Sequence, residues 1–154
     1  MRLVVDTSVL VGELLRTRGR KRLADERLDL FLPERMWGEV QVQVELPRRI
    51  RAFGRRRGLE KATADELTAL SLDAVETNMV VIEMAVYSAV EDEARARSQR
   101  DPDDWPVVAC ALALSSGIWT NDNDFLGTGV PTWTTESLQT WLDRNQGPPP
   151  EGRP

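Results

Sequence analysis

Four carboxylates, far apart in the 154-residue chain, are the side chains best suited to act together. Asp6 ends the apolar run Leu3-Val4-Val5, and Glu39 follows Pro33 in a helical stretch. Asp104 opens Trp105-Pro106-Val107-Val108-Ala109, and Asp122 follows Ile118-Trp119-Thr120. Like charges gathered at one place raise each other's pKa and work against the fold. Hard divalent cations such as Mg²⁺ or Mn²⁺ relieve that repulsion and prefer oxygen ligands. The pattern suits a pocket that holds metal against a phosphate. The sequence has no histidine and one cysteine, Cys110. Ser-His-Asp, Cys-His and His-dependent nuclease chemistry are therefore excluded. So are an intramolecular disulfide and a thiolate zinc site, which leaves oxygen to hold any metal. Cys110 lies in Val107-Val108-Ala109-Cys110-Ala111-Leu112 and reads as helix filler, since a free thiol packs like a small hydrophobe.

Each acid also has a plainer reading. Asp6 could cap a helix, Glu39 could be a solvated helix residue, and Asp103 and Asp104 suit a first helical turn. Asp122 and Asp124 could be turn residues. The plain readings require independent coincidences; a shared pocket requires one cause. Glu45 is the alternative to Glu39, and Asp101 competes with Asp104.

Net charge is −5, which is not the overall signature of a nucleic-acid binder. The distribution is more telling. Arg16, Arg18, Arg20, Lys21 and Arg22 form one basic run; Arg48, Arg49, Arg51, Arg55, Arg56, Arg57 and Lys61 form another. Together they hold 12 of the 20 basic residues. Surface helices usually mix signs. Basic patches beside an acidic pocket would hold a polyanion backbone near the metal, with Arg48 and Arg49 as substrate-binding candidates.

The elements that must position these groups alternate. Strands are expected at 2–5, 30–32, 79–82, 118–120 and 131–133. Helices are expected from Thr7 over Val9–Leu15, over Lys21–Leu28, from Glu34 towards Arg56, over Thr63–Val75, Val86–Ala96, Trp105–Ser115 and Ser137–Asp143. Pro47 predicts a break near Leu46, and Gly54 and Gly58 mark that helix's end. Thr63 with Glu66 reads as a capping box, and Gly117 as the close of the helix before it. Alternation of this kind predicts an α/β fold in three layers, α/β/α, with a central mostly parallel sheet of about five strands. In such sheets sites gather at the carboxyl ends of strands, so Asp6 and Asp122 should converge. The domain is expected to span 1–144, with 145–154 a disordered Pro/Gly-rich tail. Apolar runs fall far short of the roughly 20 residues that cross a bilayer. The acid at position 6 does not suit a signal peptide, so a cytoplasmic protein without membrane contact is expected.

Val4-Val5-Asp6-Thr7-Ser8-Val9-Leu10, then Glu39, then Asp104 with Val108-Ala109-Cys110-Ala111, then Thr120-Asn121-Asp122-Asn123-Asp124-Phe125 together resemble a PIN domain over residues 2 to about 142. The resemblance implies a Mg²⁺- or Mn²⁺-dependent endoribonuclease. Asp6, Glu39, Asp104 and Asp122 match the family's acids in order, and Asp124 matches a further, variable one. Metal would bind Asp6, Asp104, Asp122 and Asp124. Ser8 or Thr120 would orient a ligand carboxylate or a water. Many small bacterial members are VapC-type toxins, so the resemblance also implies RNA as substrate, a cognate antitoxin protein and a homodimer. Met36, Trp37, Val40 and Val44 would be contacts for the antitoxin or, equally, core. The alternative is a catalytically inactive PIN-like module that binds RNA or protein. A receiver-type phosphoryl-transfer domain would need an acid pair after the first strand and a late lysine; Asp6 stands alone and no lysine follows Lys61. Trp105, beside Asp104, is a candidate to stack on an unpaired base, whereas Trp119, inside a strand, reads as core.

Overall fold

A computed structural model describes residues 1–38, 42–57 and 61–145, with the side chains of 42–45, 53–54, 57 and 61–62 left undescribed. Five parallel strands, β1 (Arg2–Val5), β2 (Asp29–Pro33), β3 (Met79–Ile82), β4 (Gly117–Trp119) and β5 (Thr132–Trp133), form one sheet in the order β3-β2-β1-β4-β5. The helices are α1 (Thr7–Leu14), α2 (Thr17–Leu23), α3 (Glu34–Trp37), α4 (Val42–Arg57), α5 (Lys61–Asn78), α6 (Met84–Tyr87), α7 (Glu91–Arg97), α8 (Trp105–Leu114) and α9 (Thr135–Arg144). They cover the sheet in a three-layer α/β/α arrangement, as the alternation of elements predicts. No described helix is long and apolar enough to cross a membrane.

The strand order decides where a site can form. From β1 the chain moves outward to β2 and β3, then returns to the other side of β1 for β4 and β5. That reversal is a topological switch point, and a crevice opens at the strands' carboxyl ends there. Val4 lies beside Ile118 and Val5 beside Trp119. The Asp6 N–H donates to the Trp119 carbonyl at 3.0 Å, which locks the two strand ends together.

Burial follows the apolar runs. Leu3, Val4 and Val5 are wholly buried, as central parallel strands require. In α8 every residue from Trp105 to Ala111 is buried, so this helix packs across β1, β2 and β4 instead of presenting a polar face. Its first turn is thereby held against the strand ends.

Several boundaries differ from the sequence expectation. The stretch expected as one helix from Glu34 does divide, but after Trp37, where Gly38 caps α3, and not at Leu46. Pro47 lies inside the continuous α4. Leu46 and Ile50 on either side of it are fully buried, and that burial outweighs the missing hydrogen bond. Gly54 lies within α4 rather than at its end, and Gly58 is outside the described residues. Thr63 falls inside α5 rather than capping it. The helix expected over 86–96 is two short helices joined by a 3₁₀ turn over Ser88–Val90. Ser115 takes the left-handed turn that ends α8 (φ 49°), while Gly117 begins β4. A Cβ at Gly117 would lie 3.2 Å from Leu3, Pro131 and Trp133, so strand packing rather than helix capping accounts for this glycine.

Candidate active site

Asp6 is both a cap and a pocket residue. Its carboxylate accepts from the Ser8 N–H at 3.3 Å and so caps α1. It also accepts from the Ser8 hydroxyl at 2.7 Å and from the Thr120 hydroxyl at 2.9 Å. With 6% of its surface exposed, Asp6 is held from both sides of the β1–β4 crevice. Thr120 Oγ1 in turn accepts from the Asp122 N–H at 2.9 Å. Asp122 Oδ1 accepts from the Asp124 N–H at 2.9 Å, which winds the chain into a short 3₁₀ turn. The chain of bonds Ser8–Asp6–Thr120–Asp122–Asp124 links the exits of two strands more than a hundred residues apart.

Asp104 reaches the crevice from the start of α8. Trp105 anchors it, 2% exposed and packed against Tyr87 with ring centroids 6.1 Å apart. The guanidinium groups of Arg35 and Arg95 lie 5.6 and 4.5 Å from the Trp105 ring. The ring is therefore a structural anchor, not the base-stacking platform expected from its place beside Asp104, because its faces are already covered. Asp101 holds the preceding turn, accepting from the Asp103 N–H at 3.0 Å.

Asp6, Asp101, Asp103, Asp104 and Asp122 line one cavity of about 450 Å³, together with Arg49. Burial pushes the Asp104 carboxyl up to about 7, aided by the negative charges of Asp101, Asp6, Asp122 and Asp124 in that order. The acids thus sense one another without touching. Among the described residues, no three His, Cys, Asp or Glu side chains stand as a ready-made ion cage. The donor set is nonetheless all oxygen, as Mg²⁺ and Mn²⁺ prefer. Thr7 lines the same cavity, and its buried hydroxyl has no hydrogen-bond partner among the described residues. An orphaned polar atom beside crowded acids fits a site completed by a hydrated cation.

A family model described as PIN domain matches residues 4–143. The chain belongs to the PIN domain family. No curated protein matches it. Among solved structures, the PIN domain is similar in fold to "Structure of FitAB bound to IR36 DNA fragment". The TM-score is 0.50 at 18% identity, over 87% of this chain and 94% of that one.

The PIN domain brings together Asp6, Asp104 and Asp122, with Ser8, Thr120 and Arg49 beside them. Arg48 is exposed next to Arg49 on α4 and does not line the cavity. Asp124 lies behind the Asp122 turn and lines a neighbouring cleft. Glu39 and Val40 lie outside the described residues, as do the side chains of Glu45 and Val44. Met36, a partner contact or a core residue on the sequence alone, is buried and lines the acid cavity. Val11 lines it too, and its spacing of three from Ser8 on α1 was a signal that could have placed it there. Two members of the first basic run are committed elsewhere. Arg20 donates to the Leu14 carbonyl at 2.7 Å, and Arg22 pairs with the buried Glu13 and donates to Gln139. Asn121 joins the end of β4 to α9 by accepting from the Thr135 N–H at 2.9 Å.

Proposed function

We propose that this PIN domain is a Mg²⁺- or Mn²⁺-dependent endoribonuclease that hydrolyses RNA phosphodiester bonds. The observation that carries the reading is the gathering of Asp6, Asp104 and Asp122 on one cavity, where burial first and then the neighbouring carboxylates push the Asp104 carboxyl up to about 7. Asp6, Asp104 and Asp122 would hold the metal, with Asp124 adding charge from behind the turn and Glu39 as the further acid. A divalent ion at such a site supplies Lewis-acid polarisation of the phosphodiester and acidification of water. The chain's own groups do the positioning. The Ser8 and Thr120 hydroxyls fix the Asp6 carboxylate in one orientation, so no reorganisation is needed when a ligand arrives. Arg49 at the rim, with Arg48 beside it, would bind the RNA backbone electrostatically.

Small bacterial PIN domains are often toxins, so a cognate antitoxin over the acid cavity and a homodimer belong to the same reading, as does a cytoplasmic location. The competing reading, an inactive module that binds RNA or protein, keeps the fold but not the chemistry. The deciding experiment is cleavage of a labelled single-stranded RNA by wild type and Asp6→Asn with Mn²⁺ or Mg²⁺. Wild type should cleave and the variant should not, while both give the same circular dichroism. Equal cleavage by the two would sink the metal-site reading; no cleavage by either would favour the inactive module.

A further inference from the structure

On the far side of the Asp122–Asp124 turn lies a second cleft of about 350 Å³. One wall comes from the end of α7 and the residues after it, including Arg97, Gln99 and Arg100; the other comes from Asp124, Leu126 and Gly127. Asp122 lines the acid cavity, and its carboxylate accepts from the Asp124 N–H, so a single turn separates the two spaces.

The cleft offers three chemically distinct groups. Arg100 Nη1 donates to the Asn123 carbonyl at 3.0 Å, which pins the guanidinium against the turn and leaves its other N–H groups available. Among the described residues Arg100 forms no ion pair, whereas Arg97 is committed to Glu93 at 2.5 Å and to the Thr128 carbonyl at 2.9 Å. Leu126 is 54% exposed, a large apolar side chain at the cleft's edge. Gln99 donates its amide to the Ala96 carbonyl at 3.1 Å, and among the described residues nothing donates to its side-chain oxygen. A guanidinium with spare donors suits a phosphate. An apolar surface beside a hydrogen-bonding amide suits an unstacked base, which only a single strand can present. Asp124 repels a phosphate from its own side and so confines it to the Arg100 side.

We propose that this cleft is a nucleotide subsite for single-stranded RNA: Arg100 holds a backbone phosphate adjoining the one in the acid cavity, Leu126 covers the base, and Gln99 accepts from the base edge. The proposal rests on the nuclease reading and extends it to how the strand enters.

The test is fluorescence anisotropy of a labelled, mixed-sequence single-stranded oligoribonucleotide with the full chain carrying Asp104→Asn, which retains the strand uncut. Arg100→Ala should weaken binding about ten-fold near 0.1 M salt and lower the salt slope by about 0.7, the value of one lost phosphate contact on a single strand. Leu126→Ala should weaken binding about three-fold with the slope unchanged, because it removes apolar contact and no charge. Arg144→Ala, on α9 away from the cleft, should stay within about two-fold, and matching melting curves will show that every variant folds. If RNA binds and wild type cleaves, yet Arg100→Ala and Leu126→Ala bind like their parent, the subsite is refuted and the nuclease reading stands. If wild type neither binds nor cleaves RNA with Mn²⁺, the nuclease reading falls and the subsite falls with it.

Discussion

Replacing Asp104 by asparagine removes one negative charge from the acid cavity while keeping the side chain's size. The wild-type carboxyl is pushed up to about 7 from an ordinary 3.8, by burial first and then by Asp101, Asp6, Asp122 and Asp124. Between those two values the folded chain keeps a proton that the unfolded chain has released. Stability therefore falls as pH rises from about 4 to about 7, and the full penalty applies above 7. At about 1.4 kcal/mol per pH unit the gap is worth about 4 kcal/mol. The group is only half-buried, so solvent screening reduces this to roughly 2 kcal/mol. Asp104→Asn should thus be more stable than wild type by that amount in EDTA at pH 8, or about 4–8 °C in Tm, and by much less at pH 5. Mn²⁺ should reverse the order. At a hundred times its Kd a ligand stabilises by about 2.7 kcal/mol, and the variant should lose most of that gain. Thermal unfolding of both proteins at the two pH values, with EDTA or Mn²⁺, measures all four quantities. Equal stability in EDTA at both pH values would refute the destabilisation of the Asp104 carboxylate by burial and like charge. Equal Mn²⁺ gains would refute Asp104 as a ligand.

Other outcomes follow from individual contacts. Thr120→Val removes the hydroxyl that donates to Asp6 and accepts from the Asp122 N–H; urea unfolding should show a loss of about 1–3 kcal/mol, and cleavage at fixed metal should fall as well. Arg22→Met leaves the buried Glu13 carboxylate without its ion partner, which should cost about 3–5 kcal/mol in the same assay; a change under about 1 kcal/mol would show that Glu13 finds another partner or a proton. Cys110 is fully buried, and burial alone pushes its thiol up to about 12. It should resist alkylation at pH 8 in the native protein and react on unfolding, as followed by mass spectrometry.

The strand positions were legible because parallel strands appear as short apolar runs: Leu3-Val4-Val5 is wholly buried at the sheet's centre, and Met79-Val80-Val81-Ile82 forms the edge strand, where Val80 and Val81 stay exposed. The acids at strand ends were legible for the same reason: a carboxylate directly after such a run must lie at the sheet's edge. Helix boundaries were less so. Pro47 signals a break by its local chemistry, but the burial of Leu46 and Ile50 carries α4 through it. Gly117 has the residue type of a helix cap, yet it serves the close packing of β4 against Leu3 and Trp133. Trp105 could be read as free or buried until the positions of Tyr87, Arg35 and Arg95 were known.

Residue type and local order along the chain are enough to state that this protein is an α/β domain with acids at the ends of its strands and no imidazole or disulfide chemistry, because those facts depend only on which side chains exist and how apolar residues repeat. They cannot say which strands are neighbours. The order β3-β2-β1-β4-β5 places the exit of β1 against the exit of β4, and so brings the Thr120 hydroxyl within 2.9 Å of a carboxylate 114 residues away. It also sets Asp122 on the acid cavity and turns Asp124 towards the neighbouring cleft. Both outcomes come from packing a whole sheet between two helical layers, where the burial of many apolar side chains at once selects one strand order and fixes the polar groups at its edge.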